Sequence, residues 1–456
     1  MTDEALDRAR ALAAAWLDGL GERRVGPAGA PSLDGPLPEA GDAPADVIEA
    51  LAAGAEPGLV ASSGPRYFGF VTGGTLPAAL AADWLTSAWD QNTALHSMSP
   101  AAAAAERVAT EWCRELLGLP EGAAAGLCTG AQMANVTALA AARNAVLGRA
   151  GWDVEAHGLA GAPRLRVIVG AEAHATVLNA LRLIGLGRAA AIRVPADDQG
   201  RMLARPLAEE LARDSAPAIV CAQAGNVNTG AFDPFEPIAA ACREHGAWLH
   251  VDGAFGLWAA AAPGRAQLVA GVAGADSWAV DAHKWLNVPY DGALVFVADP
   301  APLAAAMSLS AAYLTAAAGD ERNGSDWSPE ASRRARAFPV WAALRQLGRR
   351  GVADLVEGHC RLAARIAQRL AAEPDVAILN DVVLNQVLVR FGDDDTTREV
   401  VRLVQNDGTC WLGGTDWHGQ AAMRISVSSF RTTREDVARS AAAILEAATA
   451  VSGTLR

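Results

Sequence analysis

The chain has 456 residues, 51% of them hydrophobic and 20% charged, with a formal net charge of −13. That length exceeds one typical core and predicts two packed domains plus a terminal arm, while the acidic balance excludes the basic field that a nucleic-acid partner requires. Cys113, Cys128, Cys221, Cys242, Cys360 and Cys410 include no C-x-x-C pair, which suits reduced thiols better than a zinc site or disulfide framework, so no metal is expected.

The N-terminal Met1-Thr2-Asp3-Glu4-Ala5 lacks the basic start and apolar run of a secretory signal, and no stretch resembles a bilayer span. A soluble cytoplasmic protein without a membrane partner is the expectation. Thr2 to Leu20 has helical spacing, with Leu6, Ala13, Trp16 and Leu17 near one face, and Gly21 to Pro44 is a Gly- and Pro-rich linker. Helical spacing then covers 102–117, 134–147, 177–186 and 237–245. Apolar strand-like runs cover 166–169, 191–194, 218–222, 248–251, 276–280 and 293–297. This alternation predicts an α/β fold with a mostly parallel sheet, right-handed crossovers and ligands at the carboxyl ends of the strands. After Pro300 the rhythm changes. The polar run Asp320 to Asp326 reads as a mobile loop, and a long amphipathic stretch over 333–370 is interrupted near Gly348 and Gly351. A strand over 382–391, a helix over 397–405, a strand over 423–427 and a last helix opened by Thr432 and Glu435 complete a smaller α+β domain.

Lys284 is the only lysine; every other basic side chain is arginine. A guanidinium keeps its proton, whereas an ammonium can be desolvated and made nucleophilic, so chemistry that needs a primary amine has one candidate. It sits in Asp281-Ala282-His283-Lys284-Trp285, just past an apolar strand. Asp252 ends another buried strand, where a carboxylate is costly unless it meets a cation. A protonated pyridine nitrogen would be such a partner, and a polar strand-end turn is the alternative. Cys128 to Asn135 precedes a helix-forming run, and its small residues and the free N–H groups of the first turn suit either a phosphate or an ordinary helix entry. His174 lies beyond the 166–169 strand, where its ring could stack on a flat cofactor or serve structure alone. His283 is placed to donate to a phosphate. Arg424 interrupts an apolar alternation and suits either a substrate carboxylate or a structural Asp. Trp411, Trp417 and His418 lie near it in sequence.

These motifs together resemble the group II pyridoxal-phosphate decarboxylases, the set with glutamate, histidine and aromatic amino-acid decarboxylases. The resemblance runs close to full length, through Pro65-Arg66-Tyr67-Phe68-Gly69-Phe70, Gln91-Asn92, Ser99-Pro100-Ala101, Thr129 to Asn135, His174, Asn228 to Asp233, Asp252-Gly253-Ala254 and Asp281 to Lys284. It implies a fold of the aspartate-aminotransferase type (fold type I), with a large seven-stranded-type sheet domain and a smaller C-terminal α+β domain. It further implies an arm over 1–95 that wraps a partner subunit, a cofactor domain over 96–330, a small domain over 331–456, and a homodimer with shared active sites. Pyridoxal 5′-phosphate would be held by Lys284 as an internal aldimine. Asp252 would pair with the ring nitrogen, His174 would stack on the ring, and Ala131, Gln132, Ala254 and His283 would complete the cofactor contacts. Phe70, Thr72, His96, Trp417 and Arg424 fall where substrate is bound. The implied reaction is decarboxylation of an L-amino acid to its amine.

The chain also departs from that pattern. In animal-type aromatic decarboxylases a tyrosine on the mobile loop returns a proton to the substrate. Alignment through Trp327 and Arg333-Arg334 puts Asn323 and Gly324 there, and no tyrosine lies between Tyr313 and Trp327. An oxygen-consuming aldehyde synthase is therefore an alternative, beside reactions of the aminotransferase or aldolase type. Thr93-Ala94-Leu95-His96 and Gly73-Gly74 give a less aromatic wall, which suits a small substrate or a larger one reaching toward Trp411 and Trp417.

Overall fold

The structure is a computed structural model that describes residues 2–309 and 321–454. Asp320 and Tyr313 lie outside the described residues. Among the described residues seven strands form one sheet: β1 (Ala124–Cys128), β2 (Arg166–Gly170), β3 (Ala191–Val194), β4 (Ala218–Gln223), β5 (Trp248–Asp252), β6 (Ser277–Asp281) and β7 (Ala293–Val297). Their order is β1-β7-β6-β5-β4-β2-β3. Pairings from β3 across to β6 are parallel, and β7 runs antiparallel to both β6 and β1. Cys128 of β1 and Asp281 of β6 both oppose Ala293, so these strands end at the same edge of the sheet.

β1, β2, β5, β6 and β7 are buried at every position, the pattern expected when helices cover both faces. The helix Ala131–Arg149 packs against this sheet through Ala134, Ala138, Ala141 and Ala142, whose small side chains allow a close approach. β1 escaped the sequence reading because Ala-Ala-Gly-Leu-Cys has almost no β-branched character. Its glycine is required, since a Cβ on Gly126 would overlap the carbonyl of Trp327.

The smaller sheet comprises β8 (Val376–Ile378), β9 (Gln386–Phe391), β10 (Gly413–Trp417) and β11 (Gln420–Ser426), in the order β10-β11-β9-β8. β10 and β11 form an antiparallel hairpin joined by His418 and Gly419, both at positive φ (49° and 77°), as a two-residue turn of this hand requires. The final helix, Arg434–Thr454, is capped by Thr433 and Asp436, one residue later than the expected Thr432 and Glu435. Thr433 N donates to Asp436 Oδ2 at 3.0 Å and Asp436 N to Thr433 Oγ1 at 3.2 Å, while the Thr432 hydroxyl donates to the Pro65 carbonyl at 2.8 Å. The amphipathic stretch, Ala337–Leu370, is two helices that meet at a kink at Gly348, with φ 61°.

The chain forms two compact units, one of 75–363 with 380–387, the other of 1–74 with 364–379 and 388–456. Residues 75–95 and 331–363 thus group with the large sheet, and 1–74 with the C-terminal elements, unlike the division expected at 95/96 and 330/331. The physical reason is visible in single contacts. Leu76 N donates to Asn287 O at 2.9 Å, and Trp285 Nε1 to His359 Nδ1 at 2.7 Å, inside the large unit. In the other unit Arg66 is buried and donates to the carbonyls of Thr409 at 2.6 Å and Arg23 at 3.3 Å.

The segment 321–326 is packed, which corrects the expected mobile loop over its described part. Asn323 Oδ1 accepts from His96 N at 3.0 Å, Ser325 N donates to Ala94 O at 3.1 Å, and Asn323, Gly324 and Ser325 are all buried. A Cβ on Gly324 would overlap the Arg333 guanidinium and the Thr93 carbonyl. Among the described residues no helix is long and apolar enough to cross a membrane.

Candidate active site

Two strand ends and one helix start build the site in the large unit. β6 ends at Asp281, and the turn that follows carries His283 and Lys284. Lys284 Nζ lies 3.0 Å from Asp281 Oδ2, with its side chain 22% exposed. Asp281 Oδ1 accepts the Ala131 N–H at 2.6 Å, tying the first residue of the 131–149 helix to the end of β6. The same oxygen lies 3.4 Å from His283 Nε2. His283 Nδ1 accepts the Gly292 N–H at 3.1 Å, so a neutral ring carries its proton on Nε2, facing Asp281. Burial holds this imidazole below its usual range, with Asp281 pulling the other way. Its face stacks on Tyr290, centroids 4.3 Å apart.

One strand over, Asp252 ends β5, parallel to β6 and opposite Ala279. It is 4% exposed, and among the described residues no cationic side chain lies within 4 Å of it. Its donors are Asn135 Nδ2, 3.2 Å from Oδ2, and Ala254 N, 3.2 Å from Oδ1. Ala254 O in turn accepts from Asp281 N at 2.8 Å, so the β5 and β6 ends are laced together. At the helix start, Ala131 is buried and Gln132 partly exposed, and Gly130 leaves room beside His283. His174 caps the helix Ala175–Leu183, with Nδ1 accepting the Thr176 N–H at 3.3 Å, which leaves the proton of a neutral ring on Nε2.

Lys284, His283, Asp252, Ala254, Ala131, Gln132, His174 and His96 all belong to the large unit. His96 Nε2 is 3.8 Å from Glu321 Oε1, and both line an open recess of about 650 Å³ with Arg107 and Arg322. Phe70, Thr72, Trp417 and Arg424 belong to the other unit. There Phe70, 62% exposed, stacks on Trp411, as does Tyr67 on the same indole, at 5.5 and 5.1 Å. Trp417 is buried among Leu388, Ala422 and Leu379 and stacks on His418. Arg424 lies opposite Gly413 in the hairpin, and burial lowers its pKa.

The model of the pyridoxal-dependent decarboxylase conserved domain matches residues 29–391. The chain belongs to the pyridoxal-dependent decarboxylase family. The aromatic-L-amino-acid decarboxylase of Bacillus atrophaeus is 26% identical to it over 88% of this chain and 85% of the relative. The phenylacetaldehyde synthase of Arabidopsis thaliana is 25% identical over 86% and 83%. The solved structure of Oryza sativa TDC with PLP and tryptamine superimposes with a TM-score of 0.92, covering 98% of both chains at 23% identity, a likeness of fold.

This pyridoxal-dependent decarboxylase is a carboxy-lyase whose cofactor is pyridoxal 5′-phosphate, and the residues present fit that group. The sole primary-amine side chain suits an aldehyde, and a buried carboxylate without a cation suits a protonated ring nitrogen. The first-turn N–H groups of Gln132 and Met133, without main-chain acceptors among the described residues, suit a phosphate. Sequence reading passed over Asp281, Asn135 and Tyr290 as individual residues. Asp281 could have been found from its i,i+3 spacing to Lys284, and Asn135 from its place one helical turn beyond Ala131. Tyr290 carries no such signal, because a turn of undetermined shape separates it from His283.

Proposed function

We propose that this chain removes the α-carboxylate of an L-amino acid as carbon dioxide, with pyridoxal 5′-phosphate attached covalently at Lys284. The observation that carries the reading is the only lysine in 456 residues standing at the β6 end, 3.0 Å from Asp281. When bound, the cofactor supplies an electron-withdrawing ring that accepts the electron pair left behind by carbon dioxide. Asp281 Oδ2 holds Nζ in place and can take the proton that the amine must lose to attack a carbonyl carbon. Asp252 sets a carboxylate at the end of β5 that would hold a protonated ring nitrogen. His174, fixed by its bond to Thr176, offers a flat face to the ring. Gln132, Ala131 and His283 would hold the phosphate at the helix start, where the dipole favours an anion. The substrate-side roles of His96, Phe70, Thr72, Trp417 and Arg424 are those the family resemblance implies.

A cytoplasmic homodimer is part of this reading, with 1–95 as the wrapping segment. The helix Pro44–Ala55 supports it, because it has no buried residue while Val47 and Leu51 are 47% and 53% exposed. Apolar surface of this kind is what a second subunit would cover.

One observation favours a second reading. Asn323 and Gly324 align with the loop tyrosine of the aromatic decarboxylases; Asn323 is buried and no side chain fits at Gly324. With another route for returning a proton to the α-carbon, the product is the amine. Without one, the amino acid, dioxygen and water would give aldehyde, carbon dioxide, ammonia and hydrogen peroxide. The test is a panel of L-amino acids scored together for carbon dioxide, amine, oxygen uptake and peroxide. Carbon dioxide and amine in equal amounts, without oxygen uptake, are expected. Stoichiometric peroxide selects the synthase, and no carbon dioxide from any amino acid rejects both readings.

A further inference from the structure

Behind Asp252 runs a chain of buried polar groups that the reaction as described above does not use. Trp248 Nε1 lies 2.9 Å from Ser277 Oγ, Ser277 Oγ lies 2.9 Å from His250 Nδ1, His250 Nε2 lies 2.9 Å from Asn135 Oδ1, and Asn135 Nδ2 lies 3.2 Å from Asp252 Oδ2. All five side chains are buried, and His250, Asn135 and Ser277 are fully so.

The direction of every bond is fixed by chemistry. A carboxylate only accepts, so Asn135 turns its NH₂ to Asp252 and its carbonyl to His250. An amide carbonyl only accepts, so His250 carries its proton on Nε2. Its Nδ1 must then accept the Ser277 hydroxyl, and that oxygen accepts the indole N–H, which can only donate. Each donor thus points along the chain toward Asp252. Burial pushes the His250 imidazole down to about 4, so the chain delivers aligned dipoles rather than a second charge.

Resting on the proposed role of Asp252, the geometry points to Asn135 and His250 as positioning residues that keep Asp252 ionised and the proton on the cofactor's ring nitrogen. The sign follows from the shared proton. A donor on Oδ2 stabilises the carboxylate, lowers its proton affinity and leaves the proton on nitrogen. Removing that donor raises the carboxylate's affinity and draws the proton from nitrogen to oxygen. Loss of one hydrogen bond to a charged acceptor corresponds to roughly a 10- to 100-fold change in that partition. The chain also joins the two ends of the cofactor site. Asn135 lies one turn along the helix whose first residue, Ala131, Asp281 holds at 2.6 Å, so the phosphate cradle and the ring-nitrogen partner share one rigid element.

The experiment uses holoenzyme loaded with pyridoxal phosphate labelled with ¹⁵N in the ring, read by nitrogen NMR as a report independent of turnover. The ring nitrogen of the parent protein is expected to read as protonated, and Asn135→Leu, His250→Gln and Asp252→Asn to shift it toward the unprotonated position. Thr137→Val, on the same helix but bonded to Met133 O at 2.8 Å, serves as the structural control and leaves the signal in place. A shift in Asp252→Asn with none in Asn135→Leu or His250→Gln overturns the relay while sparing the site. No shift in Asp252→Asn overturns the Asp252 assignment itself. Should the variants fail to fold, ¹⁵N-histidine spectra of the parent protein decide. His250 as the Nε2–H tautomer, unchanged near pH 6, supports the relay, and the Nδ1–H tautomer overturns it.

Discussion

Replacing Lys284 by alanine removes the only primary-amine side chain in the protein, so its consequences can be counted rather than graded. The amine makes one ion pair, 3.0 Å from Asp281 Oδ2, and Asp281 retains the Ala131 N–H and His283 when it is gone. One hydrogen bond to a charged group corresponds to about 1.5–3 kcal/mol. That loss leaves most of the ~5–15 kcal/mol typical of a folded protein. The variant should therefore fold, with an unchanged far-ultraviolet circular dichroism spectrum. The assay is borohydride reduction of cofactor-loaded protein, followed by peptide mapping by mass spectrometry. The parent protein should carry one pyridoxyl group per chain, on the peptide containing Trp285, and Lys284→Ala should carry none. Absorbance of bound cofactor in the visible range should vanish with it. A pyridoxyl label elsewhere in the parent protein, or one that survives the substitution, would refute the reasoning.

Acid should weaken the fold through His250. Its value in the folded chain, about 4, lies below the ordinary 6.5, so between those limits the unfolded chain binds the extra proton and stability falls as pH drops. The contribution, up to about 3 kcal/mol, is intact above pH 6.5. Thermal midpoints between pH 4 and 7 should therefore fall more steeply for the parent than for His250→Gln, and parallel curves would count against it. All six cysteines are buried, and burial pushes Cys113, Cys128, Cys242, Cys360 and Cys410 up to about 12 and Cys221 upward as well. Titration with an aromatic disulfide at pH 8 should find no fast thiol in native protein and six after denaturation; a fast native thiol would contradict the burial. Gly324→Ala should lower stability by about 1–3 kcal/mol, because a Cβ there is overpacked against the Thr93 carbonyl. An unchanged melting temperature would show that the segment yields.

Most of the large sheet was legible because most of its strands are apolar runs, and 191–194 and 293–297 match β3 and β7 residue for residue. Lys284 stood out as the only lysine, and Asp252 through a charge at the end of a buried run. What stayed hidden depends on geometry that no local pattern encodes. The role of Asp281 arises only when β1 and β6 end side by side across β7, which strand order determines. The packing of 321–326 could not be read either, because its polar residues find partners in 93–96, more than 200 positions away. Composition there suggested solvent, and tertiary hydrogen bonds took its place. His250 was visible as a strand residue two before Asp252, hence on the same face, but nothing local showed that Asn135 would stand between them.

Asp281 couples three parts of the site, which would restrict how substitutions there can accumulate. A single carboxylate fastens the amine, the imidazole and the opening of the helix, so none of the three can drift without disturbing the other two. New substrate preferences would then have to arise in the surrounding walls, with the anchor inherited whole.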